Sequence, residues 1–196
     1  MATDNLKGLA RTARLDVLFS GYADDHVAGT VSLVRDDSRV IVVDPGMVPT
    51  RAAILDPLEE LGVSPRDVTD IVLSHHHPDH TVNIALFGEI PVHDFQAVYF
   101  RDTWEARAAD GVRLTPSVWL LATPGHTPQD LSVLVGTSAQ VVVLTHLWWT
   151  DQGPVEDPYA PDLDALRAQR ERILAIANRI VPGHGPAFIP GPRTPR

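Results

Sequence analysis

Seven residues, Ser74–His80, constrain this chain more than any other stretch, because they contain four histidines and one aspartate directly after an apolar run. Imidazole nitrogens and carboxylate oxygens are the ligands that zinc and similar divalent metals prefer. Alternate residues of a chain that leaves a strand point the same way, so His75 and His77 can bind one ion. Asp79 and His80 can then face a second ion.

The composition is that of one globular domain, which we expect to span residues 1–196, with 44% hydrophobic and 21% charged residues. No run approaches the roughly 18 apolar residues of a membrane span. Residues 1–16 lack the apolar core of a secretion signal, so we expect a cytoplasmic protein. The net charge of −9 disfavours nucleic acid as a partner. The absence of cysteine excludes disulfides and thiolate nucleophiles.

Runs rich in β-branched residues predict strands in both halves of the chain. The predicted strands are 15–20, 29–35, 39–44, 69–73, 90–93, 118–122, 131–135, 140–145 and 180–181. Helical spacing of apolar residues predicts helices at 54–61, 81–88, 102–109 and 162–178. Residues 190–196, rich in proline and arginine, are predicted to form a flexible tail. This order of elements indicates an α/β domain whose sheets are covered by helices.

Three more histidines, His126, His146 and His184, each follow an apolar run at the end of a predicted strand. Loops at strand ends commonly carry catalytic groups, because the sheet positions them while the loop leaves them accessible. Together with the cluster at 74–80, these histidines indicate a metal site. We assign one ion to His75, His77 and His126, and the other to Asp79, His80 and His184.

These motifs resemble those of the metallo-β-lactamase superfamily. The resemblance rests on His-x-His-x-Asp-His at 75–80, Pro-Gly-His-Thr at 124–127 and Pro-Gly-His-Gly-Pro at 182–186, in that order. It implies an αββα sandwich of two mixed sheets flanked by helices, with the metals at one edge of the sheets. It also implies that Asp44, at the end of an early predicted strand, supports the metal loop through hydrogen bonds.

One position departs from the superfamily pattern. The aspartate that usually bridges the two ions is replaced by His146, which follows Thr145. A neutral imidazole has one free lone pair and cannot bridge two ions as a carboxylate does. His146 can therefore ligate only the second ion, leave the second site weak, or point away and carry protons. We favour ligation of the second ion.

The donor set and the resemblance imply a metal-dependent hydrolase. In such an enzyme a zinc-bound hydroxide attacks an ester, thioester, lactone, β-lactam or phosphodiester, and no protein nucleophile is needed. Asp79 is the candidate catalytic residue that orients this hydroxide, and the expected substrate is a small molecule. One or two zinc ions are expected, with iron or manganese left open. The alternatives are a mononuclear iron oxygenase or redox protein, a nuclease, or a non-catalytic binding module whose site has decayed at His146.

Three further side chains are candidates for a substrate pocket. His26 lies in the loop between the first two predicted strands, and loops in this place often cover the site in the superfamily. The adjacent Trp148 and Trp149 must point to different sides, so we expect one in the core and the other at the pocket or at a subunit contact. A homodimer is therefore left open. The acidic residues between 151 and 157 are expected to form a solvated surface.

Overall fold

The computed structural model describes residues 6–196, which form two mixed β-sheets, a small hairpin and three α-helices. In spatial order the first sheet contains β1 (Arg14–Phe19), β4 (Val31–Asp36), β5 (Arg39–Val43), β6 (Asp70–Val72), β7 (Val92–His93), β8 (Ala97–Phe100) and β9 (Thr103–Ala106). The second contains β10 (Arg113–Thr115), β11 (Val118–Ala122), β12 (Leu131–Gly136), β13 (Val141–Thr145) and β14 (Arg179–Pro182). The hairpin pairs β2 (Tyr22–Ala23) with β3 (Val27–Ala28). The helices are α1 (Ala52–Glu60), α2 (Pro78–Thr81) and α3 (Leu163–Leu174), with 3-10 turns at Pro65–Asp67 and Ile84–Phe87.

Alternation along the strands produces the four layers of an αββα sandwich. In β5, Ile41 and Val43 pack into the core between the two sheets, whereas Val42 packs into the core beneath α1. In β11, Leu120 faces the other sheet, whereas Trp119 packs into the core beneath α3. Each sheet therefore buries both faces, and the predicted fold is confirmed.

Strand direction sets the position of the functional loops. β5, β6 and β7 run parallel to one another in the first sheet. In the second sheet β13 and β14 are parallel, and β11 shares their direction because β12 is antiparallel to both of its neighbours. The carboxyl ends of β5 and β6 therefore lie together at one end of the first sheet, as do those of β11, β13 and β14 in the second.

The helix predicted over 102–109 is wrong. Residues Thr103–Ala106 form the edge strand β9, which pairs with β8 and brings the rings of Tyr99 and Trp104 to 4.8 Å. All four residues of β9 are exposed, and a segment of four residues is too short for its pattern to distinguish a strand from a helix. The helix predicted over 81–88 is also wrong, because the structure has the short helix α2, Pro78–Thr81, followed by the 3-10 turn Ile84–Phe87. The last helix, α3, ends at Leu174 rather than at residue 178.

None of the helices in residues 6–196 has the length and apolar character needed to cross a lipid bilayer. At the C-terminal end, the Pro195 carbonyl accepts a hydrogen bond of 2.8 Å from Trp148 Nε1, and Arg196 pairs with Glu171 at 2.8 Å. The flexibility expected for residues 190–196 stays a prediction.

Candidate metal centre

Five loops meet at one edge of the sandwich, and each follows a strand. Asp44 follows β5, and the loop 74–80 follows β6 in the first sheet. In the second sheet His126 lies beyond β11, His146 directly follows β13, and His184 lies beyond β14. The backbone connects the sheets here, since the N–H of Leu131 donates to the carbonyl oxygen of Ser74 at 2.8 Å. Residues far apart in the sequence are thus held at one place.

The ligand atoms of the predicted metal donors form three overlapping groups, and the atoms within each group lie within 4.8 Å of one another. The first group contains His75, His77 and His126, the second contains Asp79, His80 and His184, and a third joins His146 to His75 and His80. Each group combines residues of the 74–80 loop with a histidine from the second sheet. The structure thus brings together the donor sets that the sequence assigned to two ions.

Several nitrogen atoms in these groups face one another or have no hydrogen-bond partner. His126 Nε2 lies 3.1 Å from His77 Nδ1, and His146 Nε2 lies 2.9 Å from His184 Nε2. Among the described residues, the buried Nε2 of His75 has no hydrogen-bond partner, and that of His80 lies 3.3 Å from Asp79 Oδ2. Unpaired buried polar atoms are costly, and a divalent cation would satisfy converging imidazole nitrogens of this kind. The residues present therefore fit a bound metal.

Hydrogen bonds on the opposite side of the rings fix the orientation of three donors. The Nδ1–H of His80 donates to Asp44 Oδ2 at 2.9 Å, and that of His126 donates to Asp157 Oδ2 at 2.7 Å. The Nδ1–H of His184 donates to the Ala28 carbonyl at 3.0 Å. A neutral imidazole that donates through Nδ1 carries its lone pair on Nε2. Such outer partners orient histidines that bind metals.

Asp44 supports the second group in the way that the resemblance implied. Besides accepting from His80, its other carboxylate oxygen accepts a hydrogen bond of 2.6 Å from the backbone N–H of Ser74. Its backbone adopts a left-handed conformation, with φ of 52°, which aspartate tolerates better than most residues. The side chain therefore connects the end of β5 to both ends of the metal loop.

Asp157 supports the first group, and the prediction that it belongs to a solvated acidic surface is wrong. The residue is 3% exposed, and its Oδ2 accepts hydrogen bonds from His126 and, at 2.9 Å, from Trp149 Nε1. Its Oδ1 accepts from the backbone N–H of Tyr159 at 2.9 Å. Nothing in the sequence distinguishes it from its exposed acidic neighbours, because its partner lies 31 residues earlier.

His146 lies between the two groups and does not point away from them. Its ring centroid lies 4.1 Å from that of His126 and 4.8 Å from those of His80 and His184. The ring packs on the backbone of Gly183, where an added Cβ would lie 2.3 Å from its Cδ2. Its Nδ1 is buried without a partner among the described residues. Its Nε2, which lies 2.9 Å from His184 Nε2, can join the second group.

Burial and charge divide the donors into neutral and ionised members. Burial, together with the neighbouring histidines, holds the pKa of His75 and of His146 well below the usual value. Burial also opposes the charged form of His80, but Asp44 and Asp79 raise its pKa to about 9. Burial raises the pKa of Asp79, but its contact with His80 lowers it to about 2. A metal at the second group would therefore displace a proton from His80.

The candidate pocket residues have different places. Trp148 is fully buried in the core beneath α3, so it is the member of the tryptophan pair that lies in the core. Trp149 has its ring 6.0 Å from that of His126. His26 is exposed in the turn between β2 and β3, and its role stays a prediction. Tyr159, whose ring lies 5.6 Å from that of His126, was not predicted from the sequence.

The sequence profile of the metallo-beta-lactamase superfamily matches residues 24–186, which contain every donor described above. The chain belongs to this superfamily. It is 31% identical to metallo-beta-lactamase domain-containing protein 1 of Xenopus laevis, in a match that covers 88% of this chain and 79% of the relative. Identity to the Mus musculus protein of the same name is 35%, over 88% of this chain and 73% of the relative.

Solved structures of the superfamily share the fold. A metallo-beta-lactamase-like protein of Thermotoga maritima superposes with a TM-score of 0.73 at 20% identity, over 92% of this chain and all of the other. A dizinc quorum-quenching lactonase, in complex with a product, gives a TM-score of 0.63 at 20% identity, over 82% and 74% of the two chains. A protein in a di-iron-bound form gives 0.63 at 23% identity, over 87% and 94%. These two proteins hold a pair of zinc ions and a pair of iron ions, respectively.

Proposed function

We propose that this protein is a metal-dependent hydrolase of small esters or lactones. The observation that carries the proposal is the convergence of six donors in two groups, with buried imidazole nitrogens that lack hydrogen-bond partners in the described chain. Superfamily membership and the likeness to a lactonase support the reaction class. When bound, a divalent ion at such a site lowers the pKa of water to about 7 and polarises a carbonyl oxygen.

The first group is the side at which we expect the substrate. It offers three histidines, and metal sites with three protein ligands leave a coordination position open for water or substrate. His77 is only partly buried, whereas His75 and His126 are buried behind it. The exposed edge of this group therefore supports the entry of substrate from the side of His77.

The second group is closed by a fourth donor. With His146 Nε2 at 2.9 Å from His184 Nε2, four side chains can surround one ion, as in structural metal sites. Asp79 remains ionised because its pKa is about 2, so its carboxylate can accept a hydrogen bond from the attacking water and orient it. The second group thus positions Asp79, and the reaction takes place beside the first.

Metal content and hydrolysis test the proposal together. Elemental analysis of protein purified without added metal is expected to find zinc, with up to two ions per chain. Hydrolysis of an ester or lactone should be lost with a chelator and restored by zinc. Iron with oxygen uptake would instead indicate the oxygenase, and chelator-sensitive cleavage of single-stranded RNA would indicate the nuclease. A protein that hydrolyses none of these substrates with any metal is a binding module.

A further inference from the structure

The loop between β13 and α3, residues 146–162, crosses the entrance to the first group and is fixed by a buried arginine. Arg170 of α3 is fully buried. Its guanidinium donates hydrogen bonds of 2.8, 2.8 and 2.7 Å to the carbonyl oxygens of Leu147, Val155 and Pro154. A buried cation that donates to three backbone carbonyls holds the loop in one conformation.

Asp157 connects this loop to the first group. As described above, its carboxylate accepts from His126 Nδ1–H, from Trp149 Nε1–H and from the backbone N–H of Tyr159. The Trp149 side chain and the Tyr159 backbone are therefore both held next to a metal donor by a single buried carboxylate.

Trp149 and Tyr159 form a stacked pair beside the first group. Their ring centroids are 5.9 Å apart and their planes differ by 22°. The Tyr159 ring also lies 5.6 Å from the ring of His126 and 6.1 Å from that of His77. Tyr159 is nevertheless 64% exposed, although large aromatic residues usually bury most of their surface. An exposed ring held in place at the entrance to a metal centre has an unused apolar surface.

We propose that Trp149 and Tyr159 form an aromatic wall, which binds an uncharged flat ring of the substrate while the bond to be hydrolysed lies at the first group. This inference rests on the proposed function and names its substrate class as aryl esters and aryl lactones. The wall lies about one ring width from the donors, so the flat group must be directly attached to the reacting ester. Aromatic pairs prefer this offset or edge-on geometry.

The negative charge near the wall favours a substrate without phosphate groups over a nucleic acid. Glu156 in the same loop is exposed, and Asp151 is exposed as well. The chain carries a net charge of −9, whereas binding of nucleic acid depends on lysine and arginine that neutralise phosphates. Single-stranded nucleic acids also stack on aromatic side chains, so their cleavage is an outcome that the test must distinguish.

The test compares two lactones that differ by one ring. Dihydrocoumarin contains a benzene ring fused to a six-membered lactone, and δ-valerolactone is the same lactone without it. Tyr159→Ala should raise KM for dihydrocoumarin about 3- to 10-fold, the ratio that corresponds to one aromatic contact. It should raise KM for δ-valerolactone by a smaller factor, because that lactone has no flat ring to contact the wall. Tyr159→Phe keeps the ring and should behave like the wild type on both substrates.

Equal losses on both lactones, or no loss on either, would overturn the wall. So would chelator-sensitive cleavage of single-stranded RNA that Tyr159→Ala abolishes while lactone hydrolysis persists. A binding measurement separates the wall from the proposed reaction. Calorimetry on zinc-loaded protein should show that 3-(2-hydroxyphenyl)propionate binds the wild type more tightly than Tyr159→Ala, and that 5-hydroxyvalerate does not distinguish them. If neither lactone is hydrolysed, the proposed function fails, and this comparison still decides the wall.

Discussion

The two donor groups are built alike but differ in what surrounds them. Each combines residues of the 74–80 loop with a histidine from the second sheet, and each has a histidine held by a buried aspartate. Each group has two buried donors and one that is partly exposed, His77 in the first and Asp79 in the second, but His146 can add a fourth donor to the second. The first group has three donors and faces an exposed tyrosine. Four donors suit an ion that organises the site, whereas three leave a position for the reaction.

Loss of a donor from the open group should have the largest effect. His77→Ala removes one of three ligands of the first group, so hydrolysis is expected to fall at least about 100-fold, since metal ions contribute several kcal/mol to the transition state. Ester hydrolysis and metal content per chain measure the effect, with thermal unfolding as a check on the fold. Full activity in a folded variant that has lost one ion would mean that the reaction takes place at the second group and not at the first.

The extra donor of the closed group can be removed separately. His146→Ala is expected to weaken the second ion by more than the 10- to about 100-fold typical of outer partners, while the first ion is retained. Competition with a chromophoric chelator measures both affinities. Unchanged affinity at both sites would mean that His146 is not a ligand, and the two groups would then be equal in donor number.

Substitution of each supporting aspartate should weaken the binding of one ion only. Asp44→Asn is expected to lower metal affinity at the second group about 10- to 100-fold, and Asp157→Asn should do the same at the first. Asp151→Asn, in the same loop as Asp157 but exposed, is the matched control and should change neither. Loss of both ions from either variant would show that the groups are coupled rather than separate.

Acid stability offers a reference that involves none of the metal donors. Burial raises the pKa of Asp70, but hydrogen bonds from His93, Thr69 and Arg39 lower it to about 2, below its usual 3.8. Its contribution is thus complete above about pH 4 and is lost as the pH falls toward 2, amounting to about 2 kcal/mol in the free energy of unfolding.

Urea unfolding of metal-free wild type and Asp70→Asn checks this effect. The difference between the two proteins should be larger at pH 5 than at pH 2.5, because at the lower pH the unfolded wild-type chain binds a proton at Asp70 that the folded protein mostly does not. A difference that does not change with pH would mean that Asp70 does not titrate in this window. Acid losses confined to metal-bound protein can then be assigned to the two donor groups.

The fold and the candidate donors could be predicted from the sequence, because both depend on local patterns. Continuous apolar character predicts strands such as Val141–Thr145, and spacing indicates that His75 and His77 can act together. Asp157 could not be found this way, because its role comes from a contact with His126 that only the folded loop creates. The edge strand Thr103–Ala106 was not predicted because its four residues are all exposed, so no buried apolar face distinguishes it in the sequence.

Titration of metal-free protein with zinc tests the difference between the two groups most directly. The second group can supply four donors, one more than the first, so the first equivalent of zinc is expected to bind there and to give little hydrolysis of dihydrocoumarin. Activity should appear with the second equivalent, as the first group fills. Full activity at one equivalent would contradict the division of roles, and the absence of activity at two equivalents would contradict the hydrolase itself.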